Sequence, residues 1–254
     1  MTASLQQPAV APAIVMEGVI KAFGSHTVLN GVSLEIQPGR GFCLLGRSGT
    51  GKSVTLKHII ALMRPDRGRI LVHGRDVTVL AGRELSKVRR TIGFLFQSSA
   101  LFDSISVGEN VAFPLRRHTD WSDERIHETA LAKLRDVGLE YDYDTMPADL
   151  SGGMRKRAGL ARAMALDPDI LLVDEPTAGL DPITGGEIDE LLIRLRTHGT
   201  TLVVVTHDIP SARHLGDELA VLDEGRIIAR GTADELDRSE DTLVQAFMRS
   251  QGGG

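Results

Sequence analysis

Residues 150–181 constrain the chain more than any other stretch. Leu150-Ser151-Gly152-Gly153-Met154 opens a helix expected to run through Arg155-Lys156-Arg157 to about Ala165, where Asp167-Pro168 stops it. An apolar strand, Ile170-Leu171-Leu172-Val173, follows and ends in Asp174-Glu175-Pro176, and Ala178-Gly179-Leu180-Asp181 closes the stretch. A helix that starts Ser-Gly-Gly offers a side-chain cap and two backbone N–H groups with no Cβ to block approach, a site for a phosphate-sized anion. A buried strand ending in two adjacent carboxylates offers one for a magnesium shell and one to act on a water. The two sites lie too close in sequence, on opposite ends of their elements, to serve one phosphate easily. Two copies facing head to tail would solve this, each lending its Ser-Gly-Gly to the nucleotide of the other.

A matching phosphate loop sits upstream. Phe42-Cys43-Leu44-Leu45 predicts a short buried strand running into Gly46-Arg47-Ser48-Gly49-Thr50-Gly51-Lys52-Ser53, with a helix beyond it to about Leu62. The glycines let the backbone fold its N–H groups around a β-phosphate. Lys52 is placed to bridge the β- and γ-phosphates, and the Ser53 hydroxyl to ligate Mg²⁺. This loop alone does not separate a transporter ATPase from a kinase or a GTPase.

Together these residues resemble the signature, Walker B, D-loop and phosphate loop of ATP-binding-cassette (ABC) ATPases, in the family's order and over nearly the whole chain. The resemblance implies an α/β fold, a RecA-like P-loop core with an antiparallel β subdomain and an inserted α-helical subdomain. The implied bounds are a tail over 1–13, the first part of the core with its β subdomain over 14–97, and the helical subdomain with the signature over 98–165. The second part of the core spans 166–239, with a C-terminal helix and tail over 240–254. ATP and Mg²⁺ are the implied cofactors. Catalysis is implied for Glu175, which polarises the water, His207, which contacts the γ-phosphate, and Lys52. Phe23 stacks on adenine, without the hydroxyl of the commoner tyrosine. Ser53, Gln97 and Asp174 attend the metal, and Gln97 also starts the joint into the helical subdomain. Ser151, Gly152, Gly153 and Asp181 reach the nucleotide of the second copy.

Composition limits the alternatives. A chain of 254 residues suits one α/β domain or one with a subdomain, and 42% hydrophobic and 25% charged residues suit a normal core with a soluble surface. A net charge of −5 and a pI near 5.9 argue against nucleic acid as a partner. Cys43 is the single cysteine, read as a small core residue, so no disulfide framework or cysteine-based metal site is expected. No apolar run approaches the roughly 18 residues that span a bilayer. The apolar patch at 10–16 lacks a basic flank and carries Pro12, which argues against a signal peptide and for an intracellular protein.

The remaining pattern reads coarsely. Strands are expected at 14–20 and 32–36 around a turn at Gly24-Ser25-His26, at 68–73, and at 92–96 ending in Gln97; a short basic helix is expected at 83–90. Ala100, Leu101, Phe102, Val107, Val111 and Phe113, ending at Pro114, either line a groove for a membrane subunit's helix or pack the helical subdomain. Ser122 caps a helix whose stripe is Ile126, Ala130, Leu134 and Val137 and whose end is Gly138. A helix from Pro182 to about Thr197, a strand at 201–205, a hairpin around Asp223-Glu224-Gly225, a last helix at 243–248 and a disordered end at 251–254 complete the chain.

Three segments narrow the resemblance further. Leu95-Phe96-Gln97-Ser98-Ser99-Ala100-Leu101-Phe102, Glu109-Asn110-Val111-Ala112-Phe113-Pro114-Leu115 and Leu150–Met154 resemble the ATPase of Mla-type phospholipid transporters, which work with mammalian-cell-entry (MCE) domain proteins. Asp181-Pro182-Ile183-Thr184 agrees, and so does Met154, where cassettes at large carry glutamine. This implies a homodimer beneath a lipid-handling permease, at the cytoplasmic face of a bacterial inner membrane, in some systems with a small sulfate-transporter/anti-sigma-like (STAS) protein. An importer ATPase for a small solute such as an amino acid would share the same core. A soluble cassette of translation or repair would bring a second cassette or a coiled-coil insertion, and a metabolite kinase would leave Ser151–Met154 and His207 without a task.

Overall fold

A computed structural model describes residues 11–196 and 199–249. In chain order, β1 (Ile14–Phe23) and β2 (His26–Ile36) lead to β3 (Gly41–Leu45) and α1 (Lys52–Ile59). Next come β4 (Arg67–Val72), β5 (Arg75–Asp76), α2 (Gly82–Arg89) and β6 (Ile92–Leu95). Three helices, α3 (Val107–His118), α4 (Asp123–Asp136) and α5 (Gly152–Ala163), stand between β6 and β7 (Ile170–Asp174). The chain continues through α6 (Pro182–Arg196), β8 (Thr201–Thr206), α7 (Ile209–Leu215), β9 (Glu218–Asp223), β10 (Arg226–Gly231), α8 (Ala233–Asp237) and α9 (Thr242–Arg249).

The strands divide by residue pattern into two sheets. β1, β2, β4 and β5 alternate or mix buried and exposed residues and form an antiparallel sheet of order β2-β1-β4-β5. β3, β6, β7 and β8 are buried throughout and form the parallel heart of the second sheet, β10-β9-β3-β8-β7-β6. In that sheet Leu45 pairs with Thr206 and Asp174 with Val205, so β3, β8 and β7 end side by side. The loops that follow leave from one edge of the sheet, the edge at which open parallel sheets bind ligands.

The inserted helices bury one common face, with Val111 and Leu115 of α3, Ala130 and Leu134 of α4, and Ala158 and Leu160 of α5 all fully buried. α3 differs from the sequence expectation because it does not end at Pro114. That proline lies inside the helix, and Leu115 beyond it is fully buried, so core packing carries the helix past the lost N–H to His118. Ser122 caps α4 as expected, its hydroxyl accepting from the Arg125 N–H.

Other elements also differ from the sequence reading. The first turn is shorter, Gly24-Ser25, with Phe23 paired to His26. α1 stops at Ile59, before Ala61 at a φ of 53°. Helices α7 and α8 were not expected. Of the tail expected over 1–13, residues 1–10 lie outside the described residues, whereas Ala13 is buried and its N–H donates to the Ile36 carbonyl at 2.8 Å. Thr197 at the expected end of α6 and the end at 251–254 also lie outside the described residues. Among the described residues no helix is long and apolar enough to cross a membrane.

Candidate active site

The strand ends and the loops that leave them gather five of the expected residues. Lys52 opens α1 and is 5% exposed, although its side chain carries a charge. Its Nζ donates to the carbonyls of Gly46 at 2.8 Å and Arg47 at 3.1 Å, and lies 3.3 Å from Glu175 Oε1. Beside it the Ser53 hydroxyl donates to Asp174 Oδ1 at 2.8 Å. Burial pushes the Asp174 carboxyl above its ordinary range, against the pull of that hydroxyl.

Glu175 sits at the end of β7 with a φ of 47° and is also buried. Its Oε2 accepts from the Thr206 hydroxyl at 3.1 Å and the His207 N–H at 3.3 Å, and meets His207 Nδ1 at 2.9 Å. The carboxylate thus has one oxygen toward the phosphate-loop lysine and the other toward the end of β8.

The phosphate loop owes its shape to glycine for two different reasons. A Cβ on Gly46 would lie 2.6 Å from the Leu222 carbonyl oxygen, so space excludes one. Gly49 and Gly51 have φ of 84° and 104°, a region costly to other residues. Thr50 closes the turn, its hydroxyl donating to the Arg47 carbonyl. α1 begins with no side-chain cap, which leaves the N–H groups of its first turn for an anion. Ser53 and Asp174 are oxygen donors of the kind Mg²⁺ takes while keeping phosphate oxygens and waters for its other positions.

The signature residues stand apart from this cluster. Ser151 is exposed and caps α5, its hydroxyl accepting from the Met154 N–H at 3.2 Å. A Cβ on Gly153 would meet Thr184 Cγ2 at 2.5 Å, so this glycine is also required by packing within its own chain. Met154 is half-buried against the core. Asp181 is exposed and caps the start of α6: Oδ1 accepts from the Ile183 and Thr184 N–H groups, and Oδ2 from the Thr184 hydroxyl. Among the described residues no hydrogen bond or ion pair joins Ser151–Gly153 or Asp181 to Lys52, Ser53, Asp174 or Glu175.

Phe23 is 46% exposed, with the Lys21 ammonium 5.5 Å from its ring centre, so it is not a core aromatic. Gln97 is exposed just past β6, and its carbonyl accepts from Lys156 Nζ at 2.6 Å. The apolar residues after it divide between the two readings. Val107 and Val111 are fully buried, whereas Phe102 and Phe113 are nearly half exposed, 4.9 Å apart, and line a groove with Phe94, Phe96 and Pro114.

Sequence reasoning did not single out Thr206, Lys156, Arg162 or Asn110. Thr206 could have been read from its place at the end of a buried strand. Fully buried Asn110 holds the loop before α3, its side chain accepting from the Phe102 N–H and donating to the Phe102, Ile105 and Ser106 carbonyls. Nothing local marks the lysine, the arginine or the asparagine, whose partners are distant main-chain carbonyls or a loop.

Comparison with known proteins agrees with this geometry. Residues 29–178 match the family model described as ABC transporter. The chain is 41% identical over 240 residues to the "Probable ribonucleotide transport ATP-binding protein mkl" of Mycobacterium leprae, covering 94% of this chain and 69% of that protein. It is 40% identical over 232 residues to the intermembrane phospholipid transport system ATP-binding protein MlaF of Haemophilus influenzae, covering 91% and 88%. The fold matches a dimeric ATP-binding cassette, MJ0796, solved in a post-hydrolysis state with ADP and Pi, at a TM-score of 0.80 and 36% identity, covering 86% and 98%. A phosphate loop, a strand-end carboxylate pair and a signature helix in one such fold leave a single family: this chain belongs to the ABC transporters, as their ATP-binding, ATP-hydrolysing cassette.

Proposed function

We propose that this cassette drives phospholipid transport between membranes, as the peripheral ATPase pair beneath a permease on the cytoplasmic face of a bacterial inner membrane. The observation that carries the substrate is the likeness to MlaF, 40% identical along 88% of that protein's length. The mkl protein, named for ribonucleotides, is as similar in sequence, but this chain spans only 69% of it. Of the two, the match in length favours the lipid reading.

In the proposed mechanism two copies close head to tail. Lys52 leaves the Gly46 and Arg47 carbonyls for the β- and γ-phosphates, with the backbone of Gly46, Arg47, Ser48, Gly49, Thr50 and Gly51 around them. Ser53 and Asp174, with Gln97, would hold Mg²⁺, which would offset the charge of the phosphates. Once Lys52 turns to phosphate, Glu175 loses its cation and is free to take a proton from water, while His207 and Thr206 hold its second oxygen in place. Phe23 stacks on adenine. The partner copy's signature completes the site with the Ser151 hydroxyl and the Gly152 and Gly153 N–H groups, and its Asp181 lies alongside.

The groove at Phe102 and Phe113 takes an apolar helix of the permease, and residues 98–165 move as the helical subdomain against the core at 14–97 and 166–239. An MCE-domain protein, and in some systems a STAS-like protein, completes the assembly. The test is reconstitution of the ATPase with its permease in phospholipid vesicles. ATP turnover should rise several-fold with an MCE partner or lipid acceptor. Stimulation by a soluble solute-binding protein with an amino acid, or by ribonucleotides, would assign another substrate.

A further inference from the structure

We propose that Lys156 is a positioning residue for hydrolysis: from the signature helix it fixes the Glu175 main chain and ties it to the main chain of Gln97. The inference rests on Glu175 as the residue that activates water. Lys156 lies in the second turn of α5, and only 5% of it is exposed. A lysine so placed normally meets a carboxylate, because burying an unpaired ammonium is costly. Here two of its three N–H donors go instead to main-chain oxygens, Gln97 O at 2.6 Å and Glu175 O at 2.9 Å. The two residues lie past the ends of neighbouring strands, β6 and β7.

The conformation of Glu175 makes this contact consequential. Its φ of 47° is in the left-handed region, costly for a residue with a Cβ, and it precedes Pro176, which restricts it further. Such backbone persists only where the surroundings over-determine it. Three bonds to its main chain do so: the Glu175 N–H donates to the Val205 carbonyl at 2.9 Å, and the Glu175 carbonyl accepts from Lys156 at 2.9 Å and, less closely, from the Ala178 N–H at 3.3 Å. The peptide orientation that faces the carbonyl to Lys156 also sends the side chain toward Lys52 and His207. Without Lys156 that carbonyl would keep only the longer Ala178 contact, which would let φ relax and the carboxylate swing away.

The same helix also governs the loop after Gln97. Arg162 donates to the Ser99 carbonyl at 2.8 Å and the Ala100 carbonyl at 2.7 Å, and both residues have positive φ, 62° and 48°. One helix therefore holds residues 97–100 at three carbonyls and the catalytic strand end at one. Lys156 is the only residue of these contacts that touches both.

The test is steady-state hydrolysis of Mg-ATP by the full-length protein, with nucleotide affinity from a fluorescent ATP analogue and thermal unfolding measured alongside. Lys156→Met keeps the length and removes the charge. It should lower kcat roughly ten- to a hundredfold, with KM and nucleotide Kd within about twofold, since only an interaction that orients the reacting group is lost. Lys156→Arg, which can still reach both carbonyls, should recover kcat to within about threefold. In a Glu175→Gln background, Lys156→Met should change the residual turnover by less than about twofold, because the group it positions is gone. The inference is overturned by a folded Lys156→Met protein with kcat within twofold of wild type, by a loss confined to KM or Kd, or by the full loss recurring on Glu175→Gln. Should Lys156→Met fail to fold, Lys156→Gln takes its place under the same criteria. Wild-type turnover by Glu175→Gln alone would instead remove the assignment of Glu175, so the two failures are distinct.

Discussion

The strand-end cluster and the helix-start cluster use the same means, polar groups at the ends of regular elements, and arrive at opposite conditions. At the strand ends Lys52, Asp174 and Glu175 are nearly inaccessible, and each charged group meets another group of the cluster. At the helix starts Ser151 and Asp181 face solvent, and among the described residues their side-chain oxygens meet only the N–H groups and the Thr184 hydroxyl of their own first turns. The difference shows where the free energy of each comes from. The first is assembled by folding, with buried charges already matched. The second is only pre-shaped by folding and, among the described residues, meets no anionic group of its own chain.

That contrast breaks or sharpens under mutation. The largest effect belongs to Glu175→Gln, which keeps the shape but removes the carboxylate proposed as the base. Turnover should fall on the order of 10²–10⁴-fold with ATP affinity within about threefold, as read by steady-state hydrolysis and equilibrium binding. Equal loss of binding and turnover would mean that Glu175 belongs to the grip on nucleotide.

Ser151→Ala strikes the other cluster. It should lower turnover roughly ten- to a hundredfold while ATP binding to one chain is unchanged, and cost about 1 kcal/mol in urea unfolding because the cap on Met154 is lost. Met154→Gln should stay within about threefold in turnover, since the half-buried thioether supports no donor that the amide would replace. If Ser151→Ala is harmless while Met154→Gln abolishes turnover, the signature is organised the other way round.

Much of the first cluster was legible because its constraints are local. Gly46 to Ser53 are contiguous, and the strand that ends in Asp174-Glu175 is apolar along its length. What escaped reading depends on distance or on backbone shape. Lys156 sits 59 positions from Gln97 and looks like one cation among three in Arg155-Lys156-Arg157. The left-handed φ of Glu175 has no signature in residue type, since glycine is the usual sign and is absent there. Pro114 suggested an end because the lost N–H is local while the packing of Leu115 is not. α8 could have been found: Thr232 and Glu235 form a capping box three residues apart, a pattern visible in sequence.

The smallest effect calibrates what burial alone does to a carboxylate. Asp189 on α6 is buried, accepts from the Ser211 hydroxyl at 2.9 Å, and is pushed up to about 6 by desolvation from an ordinary 3.8. The folded chain therefore holds this proton while the unfolded chain has lost it, so its contribution to stability falls as pH rises from about 4 to 6. Asp189→Asn keeps an acceptor for Ser211 and removes the charge. It should stabilise the fold by about 1–3 kcal/mol at pH 7.5 and by almost nothing at pH 3.5, measured by urea unfolding at both. Because Asp189 belongs to neither cluster, turnover should stay within about twofold.

The central claim is that the exposed helix-start cluster is completed by nucleotide on a second copy, and cross-linking measures it directly. Ser48→Cys and Gly152→Cys place thiols at two exposed positions, one in each cluster, and the native Cys43 is fully buried and so does not compete. In the Glu175→Gln background, expected to hold ATP while hydrolysing it slowly, mild oxidation should yield a dimer linked from residue 48 of one copy to residue 152 of the other with Mg-ATP, and little with Mg-ADP or no nucleotide. Equal cross-linking in all three conditions, or none with ATP even when the permease is present, would contradict the account.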